Sequence, residues 1–161
     1  MQPFNHSRSG RLCILSIDPL LLAGSRVFIV GKSGVAYLLD ASNLGGVGNG
    51  LASLNLGRAA FGGDAYADGT IYVPTVGGIY AVRVQAGSLH VLWHQGAASQ
   101  SPIVAGPGIW SIGNGKLYQL DRATGAVRYT VSIGESAHFA APAASGGRIF
   151  VAANGRVQAF G

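Results

Sequence analysis

The stretch GKLYQLDRATG, Gly115 to Gly125, decides how the chain is read. It opens on a glycine, alternates apolar and polar residues over Leu117 to Asp121, and closes on Asp-Arg-Ala-Thr-Gly. Alternation with period two is the mark of a half-buried strand. The Asp121 carboxylate can accept turn amides, and Gly125 is free to take a positive φ. The segment therefore reads as one strand and its exit turn. The same outline recurs in GVAYLLDASNLGG from Gly34, GGIYAVRVQAG from Gly77 and GRVQAFG from Gly155. A repeated strand and turn implies a repeat architecture.

A second recurring segment sets the period. VFIVGKSG begins at Val27, IYVPTVGG at Ile71, IWSIGNG at Ile109 and IFVAANG at Ile149, at steps of 44, 38 and 40 residues. A period near 40 belongs to propeller blades or to helical repeats. The segments are short, rich in Val, Ile, Tyr and Phe, and punctuated by Gly, Asn, Ser and Asp, with no apolar stripe at helical spacing. That composition makes the units all-β. The third unit predicts four strands, at 101–106, 109–112, 116–121 and 126–131. Asn114-Gly115 and Asn154-Gly155 are the residue pair favoured in two-residue hairpin turns. Pro102 and Pro142 each lie seven residues before the second strand of their unit, a phase held by Asp64 in the second unit. Proline is confined to strand starts and edges, so this recurrence supports the alignment.

The composition excludes several function classes. Of 161 residues, 48% are apolar and 11% charged, which fits neither a disordered tail nor a coiled coil. The 26 glycines show no collagen period and sit mostly between apolar runs, as many tight turns require. The net charge of +5 comes mainly from nine arginines scattered along the chain, not gathered into the stripe of a nucleic-acid binder. Cys13 is the only cysteine, so no internal disulfide can form. The apolar run from Leu12 to Ala23 is broken by Asp18-Pro19 and is short of the ~20 residues of a membrane span. Asp18 also argues against reading Arg8 to Ala23 as a signal peptide.

The units resemble the quinoprotein-type propeller repeat, also called the pyrroloquinoline quinone-like repeat. SPIVAGPGIWSIGNGKLYQLDRATGAVRY follows its outline throughout, with Tyr129 where tryptophan is usual. APAASGGRIFVAANGRVQAFG follows the first three strands, DAYADGTIYVPTVGGIYAVRVQAGSLHVLW follows more loosely and closes on Trp93, and SRVFIVGKSGVAYLLDASNLGG keeps Asp40 but has Leu44-Gly45-Gly46 in place of Thr-Gly. The resemblance implies an all-β propeller of four-stranded antiparallel blades. About four blades are present, half of what relatives of this family carry. Residues 1–10 are expected to be disordered and 11–161 to form one repeat domain, with units at 18–58, 59–97, 98–136 and 137–161, the last lacking its fourth strand. RLCILSI, 11–17, is a strand-like run that could supply that fourth strand, in this chain or in a second copy; alternatively, the chain is the C-terminal half of a longer propeller.

Chemistry is sparse in these units. The resemblance implies that quinone-dependent dehydrogenases hold calcium through Glu, Asn and Asp, use a further Asp as base, and place two adjacent cysteines over the cofactor. Here Cys13 is alone and Glu135 is the only glutamate. His90 and His94 would lie ~13 Å apart along a strand, too far to share one ion. Ser101, His138 and Asp64 could be drawn as a triad, but no Gly-x-Ser-x-Gly elbow accompanies them. Gly31-Lys32-Ser33 lacks the earlier glycine and following helix of a phosphate loop and reads as a hairpin turn. No catalytic, metal-ligating or cofactor-binding residue is assigned. The aromatics at fixed phase, Phe28, Tyr72, Trp110 and Phe150 on second strands and Tyr37, Tyr80 and Tyr118 on third strands, are expected to fill the space between blades.

Position supplies the remaining expectation. First strands of a propeller line its channel, and the loops leading into them, RAAFGGD, AASQSP and ESAHFAAP, form one rim. Phe61, Asp64, Gln100, Ser101, His138 and Phe139 are therefore the candidate ligand contacts. The expected function is a non-enzymatic scaffold or binding module that takes a protein or a small ligand at its face or channel. Its compartment is extracytoplasmic by resemblance, and a homodimer could complete a larger propeller. The alternative is a fragment of a larger quinoprotein oxidoreductase whose catalytic blades lie elsewhere.

Overall fold

The computed structural model describes residues 18–44 and 50–161. RLCILSI, Cys13 and the segment 1–10 lie outside the described residues. The described chain is entirely β, with fifteen strands in four antiparallel sheets. The first sheet has the order β1 (Leu20–Leu22), β2 (Arg26–Val30), β3 (Val35–Asp40) and β4 (Ala52–Asn55). The second runs β5 (Ala65–Ala67), β6 (Thr70–Thr75), β7 (Gly78–Gln85) and β8 (Ser88–Gln95). The third runs β9 (Ile103–Ala105), β10 (Gly108–Gly113), β11 (Lys116–Asp121) and β12 (Val127–Ser132). The fourth has three strands, β13 (Ala143–Ser145), β14 (Arg148–Ala153) and β15 (Arg156–Phe160). Each sheet is an up-and-down meander, the form of a propeller blade. Consecutive sheets pack through β4 with β8, β5 with β9 and β9 with β13, and the set does not close into a ring.

Local chemistry explains the turns. Asn114 and Gly115 have φ of 50° and 69°, and Asn154 and Gly155 have 54° and 68°. Two successive positive φ values define the hairpin turn whose twist matches its strands. In the exit turn of the third unit, Asp121 Oδ1 accepts the amides of Ala123 (3.0 Å) and Thr124 (2.9 Å) and the Thr124 hydroxyl (3.0 Å). The Arg128 guanidinium, 2.9 Å from Oδ2, is the main reason that the Asp121 carboxyl is pulled down to about 2, and the Thr124 bonds add to it. The first unit makes the same turn without threonine. Asp40 Oδ1 accepts both the amide and the hydroxyl of Ser42, at 2.8 and 2.6 Å, so Ser42 does there what Thr124 does in the third unit.

The strand expected over 101–106 is shorter. Pro102 stands just outside β9, as Pro142 stands before β13, Asp64 before β5 and Pro19 before β1. At the other end, Gly106 turns with φ of 56°. Ser101, also outside the strand, uses its Oγ to accept the Gly63 amide at 3.0 Å.

Three apolar clusters lie between neighbouring sheets. Phe28, Val30, Ala36 and Leu38 of the first sheet meet Ile71, Val73 and Val82 of the second. Tyr72, Ala81 and Trp93 of the second meet Ile109 and Leu120 of the third. Ile112 and Leu117 of the third meet Ile149, Val151 and Ala153 of the fourth. The fixed-phase aromatics follow this logic inside the stack. Phe28, Tyr72 and Trp110 face the following sheet, while Tyr80 and Tyr118 face the preceding one. Tyr37 departs from the expectation. It pairs with Ile29 on the outer face of the first sheet and is 42% exposed. Side chains alternate across a strand, so the third-strand phase that faces inward at Tyr80 and Tyr118 faces outward in the first sheet. Phe150 is its counterpart: it pairs with Ala143 and Ala159, on the face of the last sheet opposite to Ile149 and Val151.

Candidate functional site: a cavity at the rim

The loops leading into β5, β9 and β13 converge on a cavity of about 550 Å³. Phe61 comes from the first loop, Ser99, Gln100 and Ser101 from the second, and His138 and Phe139 from the third. Antiparallel folding returns the second strand of each blade to the same rim. The turns between second and third strands therefore add Thr75 and Val76 from the second sheet and Asn114 from the third.

The middle loop is fixed firmly. The amides of Ser99 and Gln100 donate to Ile112 O at 3.1 and 3.0 Å, and the buried Ser111 hydroxyl donates to Gln100 O. The Gly63–Ser101 hydrogen bond ties the first loop to the second, and Gln100 Nε2 reaches Ser136 Oγ of the third at 3.3 Å. The aromatic side is more open. Phe61 and Phe139 have ring centroids 6.4 Å apart, with the His138 ring 5.9 Å from that of Phe139. Phe139 is 61% exposed and Val76 63%. Phe139 holds a φ of 63°, a left-handed backbone that is uncommon for a bulky residue. Lys32, in the β2–β3 turn, holds Nζ 5.7 Å from the Phe61 centroid.

Of the six residues named from the sequence, Phe61, Gln100, Ser101, His138 and Phe139 lie on the cavity wall and Asp64 does not. Asp64 sits at the foot of the first loop, with both carboxylate oxygens buried and accepting no hydrogen bond. Burial without a partner pushes its carboxyl well above the usual carboxylate range. Gln100 Oε1 is buried and unpartnered as well. Ser101 Oγ is engaged by Gly63 and makes no hydrogen bond to His138, so these residues are not linked as a nucleophile and base. His94 stacks on Tyr80 at 4.2 Å and contacts Gly77 O at 2.9 Å. Among the described residues no three His, Cys, Asp or Glu side chains gather as metal ligands, and no helix is long and apolar enough to cross a membrane.

A larger cavity, about 800 Å³, lies away from the rim between the third and fourth sheets, lined by Trp110, Tyr129, Ile149 and Phe160 among others. At the preceding interface the equivalent space is closed. There Trp93, whose ring lies tilted against Tyr72 with centroids 5.8 Å apart, donates its indole N–H to Arg122 O in the next sheet's exit turn. Tyr129 holds the place of Trp93 one sheet later and packs edge-on to Trp110 at 5.9 Å. The larger cavity is thus a packing gap beside the three-stranded sheet, and the rim cavity is the one built from convergent loops.

Four-stranded meanders stacked about an axis, with a loop-built cavity at one rim, define a repeat propeller. The model of the pyrroloquinoline quinone-type family described as outer membrane protein assembly factor BamB matches residues 48–161, and the chain belongs to that family. No curated protein sequence matches the chain. Among solved structures, BamB from Moraxella catarrhalis is similar at a TM-score of 0.74 and 17% identity, over 91% of this chain and 49% of that one. The computationally designed Ika4 protein is similar at 0.70 and 14% identity, over 96% and 94%. A europium-containing methanol dehydrogenase is similar at 0.59 and 17% identity, over 76% of this chain and 25% of that one. The chain therefore spans about half the length of the BamB it matches.

Proposed function

We propose that the chain is a non-enzymatic propeller scaffold that binds a protein or a small ligand at the rim cavity, in a compartment outside the cytoplasm. The carrying observation is the cavity itself: three loops from three successive blades enclose it, and an exposed Phe139 on left-handed backbone stands at its mouth. Strained backbone and exposed aromatics gather where a protein meets its ligand. Membership of a family described by outer-membrane protein assembly supports a protein partner and the extracytoplasmic setting. The oxidoreductase alternative rests on fold likeness alone, since the dehydrogenase match is 17% identical. Amide-detected NMR of the full chain against a set of small aromatic compounds tests the site. Shifts are expected to cluster in residues 58–64, 97–102 and 135–142. Clustering in the gap between the last two sheets overturns the assignment, and a thermal shift with pyrroloquinoline quinone and calcium overturns the non-enzymatic reading.

The same reading includes a second copy that completes the ring. Phe150 on the last sheet and Tyr37 on the first hold the phases at which Trp110 and Tyr118 bury at internal interfaces. The last sheet's outer face is thus equivalent to the faces that receive a sheet of the first one's kind. Light scattering after size exclusion is expected to give twice the chain mass of 16.4 kDa. A monomer at micromolar concentration overturns the dimer.

A further inference from the structure

The rim cavity is apolar at its mouth and bordered by cations. Phe61, Val76 and Phe139 form the apolar part, with Val76 63% and Phe139 61% exposed. Lys32, exposed in the β2–β3 turn, holds Nζ 5.7 Å from the Phe61 centroid. Arg58 is exposed in the loop into β5, and its stem lies over Gly77, where a Cβ would stand 3.3 Å from Arg58 Nε. Gly77 adjoins the wall residue Val76, so this cation also stands at the cavity edge. Lys116 is exposed two residues beyond the wall residue Asn114. Three permanent cations, from two turns and a loop, thus border one apolar mouth.

Their charge is not neutralised locally. The two ion pairs among the described residues, Arg122–Asp68 and Arg128–Asp121, both lie at the opposite end of the sheets. At the rim end the described carboxylates are Asp18 before β1, Asp64 before β5 and Glu135 after β12, and none pairs with Lys32, Arg58 or Lys116. Asp64 has both oxygens buried, and Glu135 lies with Arg156 on the wall of a separate cavity of about 440 Å³.

We propose that the rim cavity receives an extended acidic segment of a protein partner: an apolar side chain enters among Phe61, Val76 and Phe139, and carboxylates on either side of it meet Lys32, Arg58 and Lys116. This rests on the rim-cavity reading and narrows it to one class of partner. The cations are spread over turns of the first and third sheets and the loop between the first two, so one small anion cannot reach them all. A chain rising about 3.3 Å per residue can. Apolar centre and charged border are the anatomy of a protein-binding patch, and the border charges select the partner. An exposed ion pair is weak singly, so several must act together.

The test uses three terminally blocked peptides that differ only in charge: Asp-Asp-Phe-Leu-Asp-Asp, its asparagine form and its lysine form. Each is titrated into the full chain and followed by amide shifts. The acidic peptide is expected to shift residues 58–64, 97–102 and 135–142. It should bind at least about tenfold more tightly than the asparagine peptide, a difference of about 1.4 kcal/mol. That advantage should shrink at least about threefold between about 0.1 and 1 M salt, as the Debye length falls from about 10 to about 3 Å. Lys32→Gln and Arg58→Gln should each weaken the acidic peptide about threefold and leave the asparagine peptide unchanged. Lys116→Gln serves where either variant does not fold. Arg83→Gln removes the same charge at the far end of β7, beside Thr70, and should change neither peptide. Equal binding of the acidic and asparagine peptides at the loops, a preference for the lysine peptide, or an equal loss from Arg83→Gln overturns the acidic assignment and leaves the rim cavity standing. So does the failure of every peptide where small aromatic compounds still shift the three loops. Shifts confined to other parts of the chain, or none with peptides or aromatic compounds, overturn both.

Discussion

Replacing Trp93 with alanine is expected to lower the unfolding free energy by about 3–5 kcal/mol, the range for truncating a large buried aromatic. Trp93 is 8% exposed and belongs to the cluster between the second and third sheets. Three contacts depend on it. Its ring packs tilted against Tyr72, its indole N–H donates to Arg122 O at 3.0 Å, and its face covers Gly125 so closely that a Cβ there would stand 2.6 Å from the ring. Truncation opens a cavity and leaves a carbonyl without its donor. Both the turn that ends β11 and the seat of β8 lose their common anchor. Against a typical domain stability of about 5–15 kcal/mol, such a loss is a large fraction of the whole. Urea unfolding followed by circular dichroism reads it as a fall in midpoint. Trp93→Phe separates the terms: it keeps most of the packing and loses the indole donor, so a cost of about 1 kcal/mol is expected. A Trp93→Ala midpoint within error of the parent would show that neighbouring sheets are held by other contacts.

The Trp93 anchor also shows where the sequence was legible. Fixed phase at period two placed the blade strands because burial on two faces of a packed sheet forces it. Turn residues placed the hairpins because only certain residues accept positive φ. A repeat of 40 residues then carried the information from the well-marked third unit to the weaker ones. What the alignment could not carry is position within the stack. Tyr37, Tyr80 and Tyr118 are equivalent in the repeat, yet Tyr37 is exposed, because the first sheet has no described sheet packed on its outer side. Equivalence within a repeat fixes which face a side chain takes; the neighbours of that blade decide whether the face is buried.

The rim was legible for the same reason, and incompletely. Five of six loop residues named from topology line one cavity. Thr75, Val76 and Asn114 were missed although a signal was available: in an antiparallel meander the turn after the second strand returns to the end at which the first strand began. Lys32 follows from the same rule and sits over Phe61. The long-range pairing of Phe61 with Phe139 was not legible, because it spans loops two blades apart and depends on how far the arc curves. Asp64 was placed correctly at the start of its strand, but its lack of any partner is a property of packing that no spacing reveals.

That lack of a partner makes Asp64 the most informative single substitution after Trp93. Asp64→Asn is expected to raise stability at pH 7, because burial without a partner disfavours the ionised carboxyl that the folded state must hold there. The direction follows from linkage. Burial raises the folded carboxyl above its unfolded value of 3.8, so the folded state holds its proton more tightly than the unfolded chain does. The contribution to stability is then complete below the unfolded value and is lost as pH rises through the folded one. Asparagine keeps the shape, carries no charge to bury, and removes that slope. Melting temperatures from pH 4 to pH 8 should therefore fall in the parent relative to the variant as the carboxyl ionises, and the gap should be widest at the alkaline end. Asp121 contributes the opposite slope at lower pH, since its carboxyl is drawn down to about 2 and its stabilising bonds fade only as pH falls towards that value. It is common to both proteins and cancels in the difference. Parallel pH profiles for parent and variant would mean that Asp64 finds a partner in solution. A variant less stable at every pH would mean that its carboxylate is needed by the fold, and that the repeat's departure from proline at this phase is structural.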